Sequence, residues 1–181
     1  MNHSKQTFEL PSDMAAVEMT AAGGPEMLAV GRRPLPIPAR SEVLIRVAAA
    51  GVNGPDLMQR KGLYPPPAGA SDLIGLEVSG TIVATGTSVT GWQIGDEVVA
   101  LTNGGGYAEY CAVDAGHCLP VPNGVSLQAA AGIPEPFFTV WSNIFEPKRL
   151  TANGTLLVHG GAGSVGSTAI QLGKAFGAKV F

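Results

Sequence analysis

The sequence predicts an α/β chain with a large β part. A β-rich module comes first, and the opening of a doubly wound nucleotide domain follows it. Three observations predict this. Short apolar runs between Ala15 and Val113 are separated by glycine- and proline-rich turns. Helical signals take over after Leu127. From Thr155 the chain then reads strand, glycine loop, helix, strand.

In chain order, Met1 to Ser12 is polar, and residues 1–13 read as a flexible tail. Strand-like runs follow at Ala15–Thr20, Leu28–Val30, Val43–Ala50, Val78–Thr85, Glu97–Leu101 and Tyr107–Val113. Between them lie the turn clusters Ala22-Gly-Gly-Pro25, Pro34 to Pro38, Thr90-Gly91, Gly95-Asp96 and Asn103-Gly-Gly-Gly106. Many short strands with this punctuation argue for a small barrel or sandwich. Pro55 to Lys61 reads as a short helix, with proline in its first turn and Gly62 beyond its end. Leu127–Ala131 and Phe138–Phe145 read as two more helices, separated by the breakers Pro134 and Pro136. The expected domains are therefore a β domain over residues 14–145 and a nucleotide domain beginning at 146.

Thr155-Leu-Leu-Val-His159 is a short run rich in strand formers, and Gly161, Gly163 and Gly166 then fit G-x-G-x-x-G. Glycine is abundant, 25 of 181 residues, so the weight of this motif rests on its place between strand and helix. Val165, Ala169, Leu172 and Phe176 form the apolar stripe of that helix, Gly177 ends it, and Ala178 to Phe181 opens a second strand. In such a unit Gly161 allows the tight turn out of the strand. Gly163 lets the backbone approach a pyrophosphate, and Gly166 lets the helix pack closely. Free N–H groups and the helix dipole hold the anion. A purely structural βαβ turn is the other reading of the same glycines. An acid about 20 positions onward would choose between NAD and NADP, and that position falls where the sequence ends. A full mononucleotide half needs βαβαβ, so the chain is expected to be truncated within this domain.

Composition removes several classes. Hydrophobic residues make up 45% and mean hydropathy is slightly positive, so a sizeable core is available. Net charge is −3 with 14% charged residues, and the adjacent basic pairs are scattered singly, at Arg32-Arg33, Arg60-Lys61 and Lys148-Arg149. A phosphate-tracking surface needs many more cations, so nucleic-acid binding is not expected. No apolar run approaches the ~18 residues of a membrane span. The first residues lack the apolar core of a secretion signal, and a cytoplasmic protein is expected. Cys111 and Cys118 lack metal-ligand spacing and read as small hydrophobes in or beside strands, with a local redox pair as the remote alternative.

Several further motifs fall in order along the chain. They are Ala50-Gly-Val-Asn-Gly-Pro-Asp56, Gln59-Arg-Lys-Gly-Leu-Tyr-Pro-Pro-Pro67, Ile74-Gly-Leu-Glu-Val-Ser-Gly80, Gly95-Asp-Glu-Val98, Gly104-Gly-Gly-Tyr-Ala-Glu-Tyr110 and Ile133-Pro-Glu135. With the glycine loop they resemble the medium-chain dehydrogenase/reductase superfamily. More narrowly, they resemble its zinc-free NADPH:quinone oxidoreductases, the zeta-crystallin-like branch. The resemblance implies a GroES-like β-barrel substrate domain followed by a Rossmann domain. It also implies NADPH as cofactor (with NAD not excluded), a small-molecule quinone as substrate, and a homodimer at full length. Zinc-dependent relatives hold their catalytic metal through a cysteine where Asn53 stands and a histidine where Leu76 stands, with a third cysteine near Pro134-Glu135. An amide and an alkyl chain cannot hold Zn²⁺, and the four-cysteine structural lobe is missing, so no metal site is expected.

By the same resemblance, Asn53 and Thr139 line the nicotinamide–ribose end of the cleft, and Tyr64 stands at the substrate mouth within reach of a quinone oxygen. Tyr64 and Asn53 are the expected catalytic residues. Gly161 and the amides of Gly163, Ser164, Val165 and Gly166 hold the pyrophosphate. Relatives usually have glycine where Ser164 stands. Each residue also has a structural reading. Asn53 caps the short helix after it, Tyr64 packs a rigid proline turn, and Thr139 starts a helix. Asp56 and Glu77 read as structural carboxylates paired with Arg60 or Arg46, and His159 as the end of its strand, while His3, His117 and His159 show no ligand spacing. Two other functions stay open: reduction of an enoyl thioester on the same fold, with Tyr64 as proton donor, and a non-catalytic β-barrel binding module.

Overall fold

The computed structural model describes residues 9–146 and 149–181. His3, Lys148 and most of the expected tail lie outside the described residues. The chain forms two compact units that divide between Gly132 and Ile133. The helix that begins at Pro134 thus goes with the second unit by compactness, although the sequence reading carried the β domain on to residue 145.

In the first unit β1 (Asp13–Met19) and β2 (Leu28–Pro34) form an antiparallel pair, in register from Asp13 opposite Pro34 to Met19 opposite Leu28. A five-stranded antiparallel sheet holds β3 (Glu42–Ala50), β4 (Glu77–Thr85), β5 (Glu97–Leu101), β6 (Tyr110–Asp114) and β7 (Cys118–Pro120), in the order β6-β3-β4-β5-β7. An isolated bridge between Ala16 and Ala108 joins β1 to the segment that leads into β6. β4 lies at the centre and is buried along nearly its whole length, as an apolar run without strict alternation requires. Val43, Ile45, Val78, Ile82, Val98, Ala100, Cys111, Val113 and Cys118 make the main core, while Met14, Ala16 and Leu73 make a smaller one. Both cysteines are free and buried in the main core, as small hydrophobes would be.

The sheet departs from the expected strands in three places. β2 runs on to Pro34, because proline is tolerated at the last residue of an edge strand. β6 begins only at Tyr110, since Gly106 and Tyr107 are bonded instead to Gly75 and Ile74. β7 has three residues and follows a single 3₁₀ turn over Ala115–His117, too short a run to carry a periodic signal. Arg32 is paired with Asp13, and Arg33 with Glu18 and Asp72, so this basic pair is matched by acids of its own unit. Among the described residues no helix is long and apolar enough to cross a membrane.

Helix α1 (Gly54–Arg60) starts at Asn53 with Pro55 in its first turn and stops before Gly62, which is left-handed at φ 74°. Helix α2 (Leu127–Ala130) is capped by Ser126, whose hydroxyl accepts from the Ala129 N–H at 3.2 Å.

In the second unit, helix α3 spans Pro134–Val140 and passes into one wide turn over Trp141–Phe145. This corrects the expected helix over 138–145. Pro134 and Pro136 lie within the first helical turn, whose N–H groups have no intrahelical acceptor, so they start this helix instead of breaking it. β8 (Thr155–Leu156) pairs in parallel with β9 (Lys179–Val180), and the Val158 N–H continues the ladder to the Phe181 carbonyl at 2.9 Å. The crossover is helix α4 (Ser164–Ala175), and Gly177 beyond it is left-handed at φ 79°.

The buried residues of α4 are Gly166, Thr168, Ala169 and Gly173, not the larger residues of the expected stripe. A Cβ on Gly173 would meet Leu156 and Val180 at 3.0 Å, so this face stays small to lie against the strand pair. Val165 remains exposed. Phe176 is turned to an aromatic group, 4.8 Å from the Phe145 ring and 5.7 Å from the Trp141 ring.

Candidate cofactor and substrate sites

Three expected motifs of the first unit meet around the start of α1. Asp56 is 2% exposed, and its carboxylate accepts from the Asn53 N–H at 2.8 Å, the Gly75 N–H at 3.2 Å and the Tyr107 hydroxyl at 2.9 Å. Gly75 has φ 105°, and a Cβ there would stand 2.6 Å from the Tyr107 nitrogen, so only glycine serves at this crossing. Burial, and then the bond to Asp56, pushes the Tyr107 phenol well above its usual range, which keeps it a donor.

Asn53 is thus a helix cap and something more. Asn53 and Asp56 form a capping box in which the Asp56 carboxylate accepts from the Asn53 N–H, while the Asp56 N–H also returns to the Asn53 backbone carbonyl at 3.1 Å. The Asn53 amide nitrogen donates to Glu77 at 2.8 Å, and both residues are buried. Asp56, expected to pair with Arg60 or Arg46, is held by backbone and phenol donors, and Glu77 by the Asn53 amide. Tyr64 lies beyond α1 on the turn before Pro65, 48% exposed, so its phenol is open to solvent.

In the second unit the turn out of β8 rests on Gly160, which is left-handed at φ 72°. The sequence reading gave this part to Gly161. Gly163 caps α4 with extended backbone and no side-chain hydrogen bond, so the first N–H groups of this 12-residue helix, those of Ser164, Val165 and Gly166, have neither an intrahelical acceptor nor a side-chain cap. Among the described residues, and apart from its chain neighbours, only the Gly160 oxygen comes within 4 Å of a Cβ built on Gly163, at 3.6 Å. A cleft of about 420 Å³ opens here, lined by Gly160, Gly163 to Gly166 and Ala169, by Leu156 to His159, and by Ile144. Ser164 sits at the first helical position, where its side chain costs little.

Gly161, Gly163, Ser164, Val165 and Gly166 thus belong to one loop at one helix end. Thr139 is in the same unit on α3, half-buried, with its hydroxyl on Glu135 at 3.2 Å. Ile144 and His159 also line the cleft; His159, expected to end its strand, lies instead in the turn after β8, and sequence reasoning gave neither residue a place in a site. Its only available signal for His159 was the position directly before the glycine loop. Among the described residues no three His, Cys, Asp or Glu side chains are grouped to hold a metal ion.

Residues 39–123 match the alcohol dehydrogenase GroES-like domain. The chain is 36% identical over 160 residues to the mouse protein "Synaptic vesicle membrane protein VAT-1 homolog-like", covering 88% of this chain and 38% of that one. It is 37% identical over 165 residues to the quinone oxidoreductase of Lama guanicoe, covering 90% of this chain and 50% of that one. Among solved structures it superposes on the CurK enoyl reductase with a TM-score of 0.84 at 27% identity, covering 94% of this chain and 54% of that chain. The chain spans about half the length, or less, of the curated relatives it matches.

Proposed function

The chain belongs to the medium-chain dehydrogenase/reductase superfamily, and we propose that the protein carries hydride from NADPH to a quinone without zinc. The observation that carries this reading is the glycine loop opening onto the uncapped start of α4, with vacant space beside Gly163. A diphosphate accepts from several N–H groups at once and is favoured by the positive helix end. The residues present therefore fit the pyrophosphate of a dinucleotide, held by Gly163, Ser164, Val165 and Gly166 with Gly161 behind them. Asn53 and Thr139 take the nicotinamide–ribose end, and Tyr64 takes the substrate.

When bound, the reduced nicotinamide supplies hydride. The chain's own work is to place it and to bind an acceptor that needs little further activation. A quinone is such an acceptor, because its reduction yields an aromatic hydroquinone. Positioning can then replace a Lewis acid. The similarity to quinone oxidoreductases supports this substrate class. Independence from zinc is supported by the chemistry of Asn53 and Leu76 at the two ligand positions, an amide and an alkyl chain. A cytoplasmic homodimer is the setting proposed with it.

A second reading has its own support. The likeness to the CurK enoyl reductase favours an enoyl thioester as acceptor, with Tyr64 as proton donor to the α-carbon. The two are separated by following NADPH oxidation with a panel of ortho-quinones and enoyl thioesters. Turnover with quinones alone supports the first reading, and turnover with thioesters alone replaces it with the second. Turnover with neither, under conditions where NADPH binds, would leave a binding module as the better description.

A further inference from the structure

We propose that Glu77 is a positioning residue that fixes which way the Asn53 amide faces. Three elements converge on it. Asn53 precedes α1, Glu77 opens β4, and Gly51 follows the end of β3. The Asn53 amide nitrogen donates to the Glu77 carboxylate at 2.8 Å, and the two residues are 8% and 2% exposed. The Gly51 N–H donates to the Glu77 carbonyl at 3.2 Å. A Cβ on Gly51 would fall on the Glu77 side chain, with Cγ at 2.7 Å. The absence of a side chain at 51 therefore lets the Glu77 carboxylate lie where Asn53 can reach it.

The consequence is a matter of donors and acceptors. The Glu77 carboxylate oxygen accepts from Nδ2, so Asn53 turns its nitrogen toward Glu77 and its carbonyl Oδ1 away. An amide at position 77 would accept either orientation. Asp56 holds the Asn53 backbone at the same time, so the side chain is clamped at both ends. Asn53 thereby offers a carbonyl oxygen of fixed direction, suited to a ligand group that donates, such as a ribose hydroxyl or a carboxamide N–H. This use of the amide rests on the placement of Asn53 at the cofactor proposed above. The fixing of the amide by Glu77 does not.

The test has two arms. In the first, the side-chain amide of Asn53 is followed by NMR in the 15N-labelled chain, in Glu77→Gln and in Gly51→Ala. The second variant keeps the carboxylate but displaces it. We expect the Asn53 NH2 signals to shift in both variants and to exchange with solvent roughly tenfold faster, the factor that about 1.4 kcal/mol of lost hydrogen bonding gives. Signals unchanged in both folded variants would overturn the proposal. In the second arm, the KM for NADPH is measured for Glu77→Gln, Asn53→Ala and the double variant, with unfolding midpoints alongside. A residue acting through Asn53 leaves the double variant no worse than Asn53→Ala. Additive losses would overturn the proposal, since a merely structural glutamate gives them. Amide signals that move while NADPH kinetics stay unchanged support the positioning, and overturn instead the placement of Asn53 at the cofactor.

Discussion

The carbonyl oxygen of Gly160 occupies the place that a Cβ on Gly166 would take, and the Gly161 Cα lies 2.8 Å from the same point. Gly166 is required by the chain's own backbone. Gly163, three residues earlier, has no such neighbour closer than 3.6 Å. Within one motif, the chain's own packing therefore holds Gly166 to glycine but not Gly163.

That difference gives the first prediction. Gly166→Ala should destabilise the second unit by about 1–3 kcal/mol, the usual cost of overpacking. Gly163→Ala should leave stability nearly unchanged, because its extended backbone suits any residue. Amide hydrogen exchange of the α4 residues measures both. Equal destabilisation by the two variants would contradict this account of the loop.

The cysteines give a second prediction. Burial pushes the Cys111 thiol up to about 11 and the Cys118 thiol up to about 12. In the unfolded chain a thiol ionises near ~8.5. The folded state therefore keeps protons that the unfolded state releases. Their contribution is fully present below pH ~8.5 and is lost as pH rises through the folded values. The unfolding midpoint should fall across that alkaline window. At about pH 8 neither native thiol should react with an alkylating reagent, since the thiolate is the reactive form. Rapid labelling of the folded chain would place a thiol outside the core.

Much of this fold was legible in the sequence, and the misses have physical causes. The runs at Val43–Ala50, Val78–Thr85 and Glu97–Leu101 agree with β3, β4 and β5 to within a residue, because turn residues bound each one sharply. The prolines at 134 and 136 misled because a proline that breaks a helix interior is well suited to its first turn. The stripe on α4 misled because periodicity ranks residues by hydrophobicity. Of the expected stripe only Ala169 is buried, and close packing on β8 and β9 selected Gly173 for its small size.

The candidate site was legible in a different measure. The glycine loop could be placed, since strand, loop and helix are consecutive in sequence. The bonds from Asn53 to Glu77 and from Tyr107 to Asp56 could not, since they join residues 24 and 51 positions apart. No local pattern encodes such pairings.

Tyr64 supplies a third prediction. If its exposed phenol orients the quinone, Tyr64→Phe should lower kcat/KM about five-fold, as loss of ~1 kcal/mol of hydrogen bonding implies, and leave NADPH affinity nearly unchanged. Steady-state kinetics with several quinones measure this. Unchanged kinetics would return Tyr64 to packing the turn before Pro65.

A fourth prediction concerns metal. With Asn53 and Leu76 at the ligand positions, quinone reduction should persist in the presence of chelators, and elemental analysis of the purified protein should find no stoichiometric zinc. One zinc per chain would overturn the zinc-independent mechanism.

The loop from Gly161 to Gly166 is proposed to hold a dinucleotide pyrophosphate. The most direct measurement is a titration of the 15N-labelled chain with NADPH, followed through the backbone amides of Ser164, Val165 and Gly166. Saturable shifts of these three amides are expected, and their loss in Gly163→Val, whose side chain would fill the space the phosphate needs while the rest of the spectrum stays folded. Amides of the loop that stay unmoved to millimolar NADPH, or that move equally in Gly163→Val, would contradict it.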